Sequence, residues 1–314
     1  MDGSIIIQIV LLIVGFVFLI KGSDFFVDGS SSIASLLKIP TIIVGLTIVA
    51  FGTSAPEAAV SITSSLAGNN AMAVSNVIGS NLFNILMVIG VSALLGDLLM
   101  EKSVLNKDLP FLVAITVLFA AFILIGWNIT SIEGIILLAI LIAYVLYLIR
   151  SSKKSKDANK VEKAKLSLPV SIIFIVVGLA GIILGGDLVV KSASSIAMAL
   201  GMSETLVGLT IVAIGTSLPE LVTSLTALKK GENQIVIGNV IGSNIFNILF
   251  VLGASSAISE IPLDSSMLID VVFMIAVTIL CFIFGKTQEK YDKKEGIILI
   301  ALFIGYMAFA ILRN

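Results

Sequence analysis

The sequence predicts an all-α integral membrane protein: ten transmembrane helices as a 5+5 inverted-topology repeat, with both termini outside. Three observations carry that expectation. The 314 residues are 58% hydrophobic and only 12% charged, with a mean hydropathy of +1.16, whereas a soluble domain carries about 25% charged residues. Long apolar runs fill the chain in two groups of five, split by a basic stretch. A polar motif recurs between the two groups at a constant offset of 163 residues.

The same composition excludes several functions. A formal net charge of −1 leaves no basic excess for a nucleic-acid partner. The absence of histidine removes His-ligated metals and imidazole-based triads. The single cysteine, Cys281, removes an intramolecular disulfide and thiolate metal cages. An intramembrane hydrolase needs a nucleophile–base pair, and neither repeated motif holds a His or a Lys. No enzymatic activity and no cofactor are expected.

A membrane-spanning helix needs about 20 mostly apolar residues. Runs of that kind lie at 5–20, 41–66, 71–95, 110–127 and 131–149, and again at 168–184, 204–228, 234–257, 267–284 and 296–312. None shows the alternation of a β-barrel strand. The first run has Asp2 where a signal peptide is basic, and no small-residue cleavage pattern closes it. Residues 23–39, with Asp24 and Asp28 among Phe25, Phe26 and Val27, fit either a loop or a continuation of the first helix. The chain thus divides into a first half (1–149), a basic cytoplasmic linker (150–167) and a second half (168–314). The repeated segments occupy about 41–95 and 204–258. With the termini outside, every lysine and arginine except Lys191 and Arg313 falls on the cytoplasmic side, as the positive-inside rule requires. Topology accounts for the basic linker; a lipid site is the alternative.

The repeat is explicit. Gly45-Leu-Thr-Ile-Val-Ala-Phe-Gly-Thr-Ser-Ala-Pro-Glu57 returns as Gly208-Leu-Thr-Ile-Val-Ala-Ile-Gly-Thr-Ser-Leu-Pro-Glu220, and Asn76-Val-Ile-Gly-Ser-Asn-Leu-Phe-Asn84 as Asn239-Val-Ile-Gly-Ser-Asn-Ile-Phe-Asn247. Five crossings separate the copies, so they enter the bilayer from opposite sides, as in many secondary transporters.

Glu57 and Glu220 are carboxylates inside apolar spans, costly and therefore functional candidates. The prolines before them, Pro56 and Pro219, free the carbonyls of Gly52 and Gly215. Thr53 and Ser54 lie four and three residues before Glu57, on its helical face, and Thr216 and Ser217 stand likewise to Glu220. Ser80 and Asn84, and Ser243 and Asn247, are each four apart in the following spans. Carboxylates, hydroxyls, amide oxygens and carbonyls without nitrogen or sulfur make a hard-cation site, suited to Ca²⁺ or Na⁺ and less to Mg²⁺. Two glutamates balance one Ca²⁺ or two Na⁺, and protons can also serve. Taken singly, the hydroxyls fit helix packing. Asn76, Asn81, Asn239 and Asn244 fit interhelical hydrogen bonds as well as a direct role. Asp24 and Asp187, near span ends, fit solvated or scaffold roles.

The two Gly-Thr-Ser-x-Pro-Glu and Gly-Ser-Asn-x-Phe-Asn blocks resemble the two α-repeats of the calcium/cation antiporter superfamily, particularly its prokaryotic sodium/calcium exchangers. The resemblance implies a plasma-membrane antiporter exchanging Na⁺ for Ca²⁺ by alternating access, with those ions as substrates and the bilayer as surroundings. The sequence is compatible with a monomer and does not fix the oligomeric state. The resemblance implies that Glu57 and Glu220 bind both ions, that Thr53, Ser54, Thr216, Ser217, Ser80, Ser243, Asn84 and Asn247 complete the pockets, and that the carbonyls of Ala50 and Ala213 join them. It also implies that the first and sixth spans slide over the core, which makes 23–39 part of a long first helix. Some members have an aspartate where this chain has Asn247, which bears on the charge of the site and on potassium dependence. A proton/calcium or potassium-dependent exchanger is the alternative, and a calcium channel a more distant one.

Overall fold

The computed structural model describes residues 3–152, 164–203, 207–262 and 267–313. Within the basic linker, 153–163 lie outside the described residues, as do 204–206 at the start of the seventh expected span. Eight described helices are individually long and apolar enough to cross a membrane. A further span is broken: Thr41–Thr53 and Ala55–Leu66 meet at 47°. Its counterpart in the second half, 208–215 followed by Leu218–Lys229, is interrupted at the matching place.

Two helices form the centre. In Asn70–Leu95 and Asn233–Ile258, 78% and 94% of the apolar window is buried, against 17% and 22% for Ile5–Leu37 and Leu168–Ala199. The first helix runs without interruption from Gly3 to Leu37. Segment 23–39 is therefore helix up to Leu37, closed by Lys38 in the left-handed region (φ 54°). Its buried stripe of Leu19, Ser23, Phe26, Val27, Ser30 and Ala34 follows the three- and four-residue spacing of one helical face.

That helix lies antiparallel against Leu168–Ala199, with Gly15 facing Gly185, Gly22 facing Gly178 and Gly29 facing Ser171. A Cβ on Gly22 would stand 2.7 Å from the Gly178 carbonyl oxygen. Only glycine lets the backbones approach this closely.

The all-α expectation holds for every described span. Two-residue ladders occur in the connections: Leu98–Leu99 pairs with Lys290–Tyr291, and Asn128–Ile129 with Ile261–Pro262. Each ties a loop of one half to a loop of the other. Two helices begin in matching capping boxes. The Thr130 amide donates to Glu133 Oε2 (2.7 Å) and the Asp292 amide to Glu295 Oε2 (3.2 Å).

Candidate cation site

The broken spans place the two glutamates. Pro56 and Pro219 sit in the first turns of Ala55–Leu66 and Leu218–Lys229, where a missing N–H removes no helical bond. The breaks fall on Ser54 (φ −81°, ψ 5°) and Ser217 (φ −95°, ψ 5°), outside the helical well. Glu57 and Glu220 follow in the first turn of the new helices, at the positive end of the helix dipole, and both are fully buried.

The breaks also change which side chains meet. Helical spacing places Ser54 beside Glu57 and Ser217 beside Glu220, but the hydrogen bonds cross between the halves. Ser54 Oγ donates to Glu220 Oε1 (3.1 Å), and Ser217 Oγ donates to Glu57 Oε1 (3.0 Å). The 47° bend turns the Thr-Ser pair off the face it would share with its own glutamate in a straight helix. Ser80 Oγ also donates to Glu57 Oε1, at 3.4 Å.

Of the other expected residues, Thr53, Ser243 and the Ala50 carbonyl meet across the two halves. Thr53 Oγ1 donates to Asn239 Oδ1 (2.9 Å) and lies 3.3 Å from Ser243 Oγ. The Ala50 carbonyl accepts from both hydroxyls at 3.4 Å. Asn84 and Asn247 are fully buried, and each opens a π-helical turn, Asn84–Ile89 and Asn247–Leu252. Such turns recur at functional sites. Asn247 Nδ2 donates to Asn81 Oδ1 (3.1 Å). Thr216 is buried next to Ser217. Ala213 opens the short helix Ala213–Gly215, and its side chain lies outside the described residues.

Two supporting pairs emerge with the repeat's symmetry. Asn76 Nδ2 donates to the Glu57 carbonyl (3.2 Å) and to Ser61 Oγ (2.9 Å). Asn239 Nδ2 does the same to the Glu220 carbonyl (3.3 Å) and Ser224 Oγ (3.0 Å). These asparagines fix the start of each glutamate-bearing helix. Ser61 and Ser224 drew no notice in the sequence. Their signal is a Glu-x-x-x-Ser spacing shared by both copies. The repeated aspartates lie outside this cluster: Asp24 pairs with Lys230 (3.5 Å) and Asp187 with Lys191 (2.8 Å).

Among the described residues several buried polar atoms have no hydrogen-bond partner: Oε2 of Glu57 and of Glu220, Oδ1 of Asn247, and both amide atoms of Asn84 and Asn244. A buried polar group left unpaired costs about 1–3 kcal/mol, so a native fold keeps such groups where a ligand or water supplies the bond. The acids number two, and among the described residues no group of three carboxylates or thiols comes together. Oxygen donors with a charge of −2 when ionised match one divalent or two monovalent hard cations.

The cluster is asymmetric in its surroundings. Asn239 is fully buried, and a Cβ on Gly242 would stand 2.6 Å from Ala50 Cβ and 2.8 Å from the Leu46 carbonyl oxygen. Their counterparts Asn76 and Gly79 are partly exposed. Among the described residues nothing lies within 4 Å of a Cβ on Gly79.

Membrane-spanning helices, duplicated broken spans and a buried carboxylate pair define a class, the multi-pass antiporters. The profile of the sodium/calcium exchanger protein family matches residues 7–150 and 170–312, and the chain belongs to that family, as a protein of a prokaryotic plasma membrane. It is 39% identical over 313 residues to the putative antiporter CaxA of Alkalimonas amylolytica, covering 96% of this chain and 98% of that protein. It is 31% identical over 346 residues to the sodium/calcium exchanger MaX1 of Methanosarcina acetivorans, covering 96% and 98%. The structure of the sodium-calcium exchanger NCX_Mj soaked with Na⁺ and Sr²⁺ superposes with a TM-score of 0.87 at 31% identity, covering 97% of this chain and 98% of that one.

Proposed function

We propose that this chain exchanges Na⁺ for Ca²⁺ by alternating access, at a site built on Glu57 and Glu220. The observation that supports the reading is the crossed pair Ser54–Glu220 and Ser217–Glu57, with the second oxygen of each carboxylate unpartnered among the described residues. Each acid is held by the opposite repeat, so a movement of one repeat relative to the other changes the coordination of both. Thr53, Thr216, Ser80, Ser243, Asn84, Asn247 and the carbonyls of Ala50 and Ala213 complete the oxygen set. With two acids and amides at 84 and 247, the charge balances one Ca²⁺ or two Na⁺, and a third Na⁺ makes the cycle electrogenic.

Ten crossings in two inverted halves, with both termini outside, agree with the contacts at each end. The antiparallel packing of the first helix on Leu168–Ala199 brings repeat counterparts together head to tail. Lys230 reaches Asp28 at the linker side (2.8 Å), and Asn70 reaches the Glu260 carbonyl at the opposite side (2.7 Å). With the linker in the cytoplasm, the closed packing at Gly242 lies on the cytoplasmic side of the cluster and the open face at Gly79 on the outside. This conformation is then the outward-facing one. The glycine-lined pair of long helices, whose apolar windows are mostly unburied, supplies a unit able to slide over the core.

The test is ⁴⁵Ca²⁺ uptake into proteoliposomes under imposed Na⁺, H⁺ or K⁺ gradients. Uptake follows an outward Na⁺ gradient, and Glu57→Gln with Glu220→Gln lowers it at least about 100-fold, as loss of both ligand charges demands. Uptake that ignores Na⁺ and follows a pH gradient replaces sodium with protons. Uptake that survives the double substitution removes the site.

A further inference from the structure

The repeats place two asparagines three residues apart on each central helix, Asn81 with Asn84 and Asn244 with Asn247, so that each pair shares one helical face. All four are buried. Asn84 and Asn247 belong to the proposed oxygen set, whereas Asn81 and Asn244 have no part in it. Their amides are linked across the two halves. Asn81 Nδ2 donates to the Asn244 carbonyl (3.5 Å), and Asn247 Nδ2 donates to Asn81 Oδ1 (3.1 Å).

These bonds run in one direction only. A carbonyl oxygen accepts and never donates, so the Asn244 carbonyl draws the NH₂ of Asn81 toward it. Asn81 then turns its Oδ1 to Asn247, which answers with its own NH₂. The Oδ1 of Asn247 is left on the other branch of the amide, buried and without a partner among the described residues. Asn247 lies one helical turn beyond Ser243, whose Oγ is 3.3 Å from Thr53 Oγ1. An amide turned over by half a rotation would put NH₂ where that oxygen stands, and a donor-only group cannot ligate a cation.

The corresponding bonds of the other half, from Asn84 to Asn244 Oδ1 and from Asn244 to the Asn81 carbonyl, are not made. Both amide atoms of Asn84 and of Asn244 are unpartnered among the described residues. In this conformation one of the two amide ligands is oriented and the other is not.

We infer that Asn81 is a positioning residue, holding the amide of Asn247 so that its oxygen rather than its NH₂ is free for the cation. The inference rests on the proposed site at Glu57 and Glu220 and adds to it a partner outside the oxygen set. Partners that orient a ligand without touching the metal are worth about 10–100-fold in affinity.

The test is equilibrium binding of ⁴⁵Ca²⁺ to the purified full-length chain. Asn81→Leu has a similar branched outline, removes both bonds, and leaves the Asn244 carbonyl its helical donor, the Asn247 backbone N–H. It weakens Ca²⁺ binding about tenfold. Asn244→Leu, which breaks no side-chain bond in this conformation, weakens it less. Asn247→Asp separates orientation from support of the fold, because a carboxylate offers an oxygen whichever way it turns. In that background Asn81→Leu causes no loss. Asn81→Ser, too short to hold both neighbours, shows the same pattern and serves where Asn81→Leu does not fold. An equal loss with and without Asn247→Asp, or a loss from Asn244→Leu as large as that from Asn81→Leu, overturns the inference. A wild-type chain that binds no Ca²⁺, or binds it equally after Glu57→Gln with Glu220→Gln, removes the proposed site and this inference with it. Binding that needs both glutamates and ignores Asn81→Leu removes this inference alone.

Discussion

The segments Asn76-Val-Ile-Gly-Ser-Asn81 and Asn239-Val-Ile-Gly-Ser-Asn244 are identical in sequence and differ in surroundings. In the second, Asn239 is fully buried and Gly242 is in backbone contact with the helix that holds Leu46 and Ala50. In the first, Asn76 and Gly79 are partly exposed, and among the described residues nothing lies within 4 Å of a Cβ on Gly79. The six residues themselves do not set that difference, whereas the residue before each does differ: Gly238 packs on Gly45 where the first half has Ser75. The same six-residue surface thus occurs in two environments, which the proposed alternating access would exchange between the halves.

The largest expected effect comes from making the two glycines unequal. A Cβ on Gly242 meets Ala50 Cβ and the Leu46 carbonyl oxygen, and backbone cannot move aside. Gly242→Val therefore disfavours the observed state by an overpacking cost of about 1–3 kcal/mol, roughly 5–150-fold in the equilibrium. Gly79→Val leaves this state intact and jams the opposite one. Both variants lose transport, by about 100-fold for Gly242→Val, yet they diverge in accessibility. Ser75 is exposed beside the opening, and the native Cys281 is buried, so a Ser75→Cys thiol can be labelled with a membrane-impermeant maleimide. Labelling slows in the Gly242→Val background and stays fast with Gly79→Val. Equal rates in both would mean that the open and closed faces do not exchange.

A smaller effect tests whether the crossed hydrogen bonds are equivalent. Ser54→Ala and Ser217→Ala each remove one donor from a buried carboxylate, a loss of about 1.5–3 kcal/mol where the acceptor stays dry and less where a cation takes its place. Each is expected to weaken apparent Ca²⁺ affinity about tenfold, and by similar amounts. A difference above about tenfold between the two would show that one glutamate carries the site.

Much of this was legible in the sequence because membrane burial makes polar residues conspicuous. Glu57, Glu220 and their prolines stand alone in apolar runs, and the 163-residue offset pairs them. The crossing of Ser54 to Glu220 was not legible, since helical spacing assigns Ser54 to Glu57, and only the bend at the break redirects it. The family resemblance implied the long first helix, whereas on the residues alone its continuation to Leu37 stayed open, because Asp24 and Asp28 fit a loop. In the fold they are ion-paired to Lys230 (3.5 and 2.8 Å). The hydrogen-bonded pairs Asp108–Tyr144 and Asp270–Tyr306 escaped because their offset slips by one residue and each stands isolated in unlike sequence.

The smallest effect concerns a charged contact that, among the described residues, distinguishes the ends of the two long helices. Lys230, in the turn before Asn233–Ile258, bonds Asp28, Asp24 and the Asp24 carbonyl on the first helix, and Glu232 accepts from Ser31. The counterpart of Lys230 in the first half is Ala67, and Asp187 pairs instead within its own helix, with Lys191. Among the described residues the clasp thus joins the first helix to the core at this end, and under the proposed alternating access it favours whichever state keeps them together. Its side chains are 22–36% exposed, so its value is that of a screened pair, about 0.2–1 kcal/mol. Lys230→Ala should shift the Ser75→Cys labelling rate by no more than about fivefold, with the difference from wild type shrinking as salt rises. A shift that salt leaves unchanged would assign the asymmetry to packing at Gly242 rather than to charge.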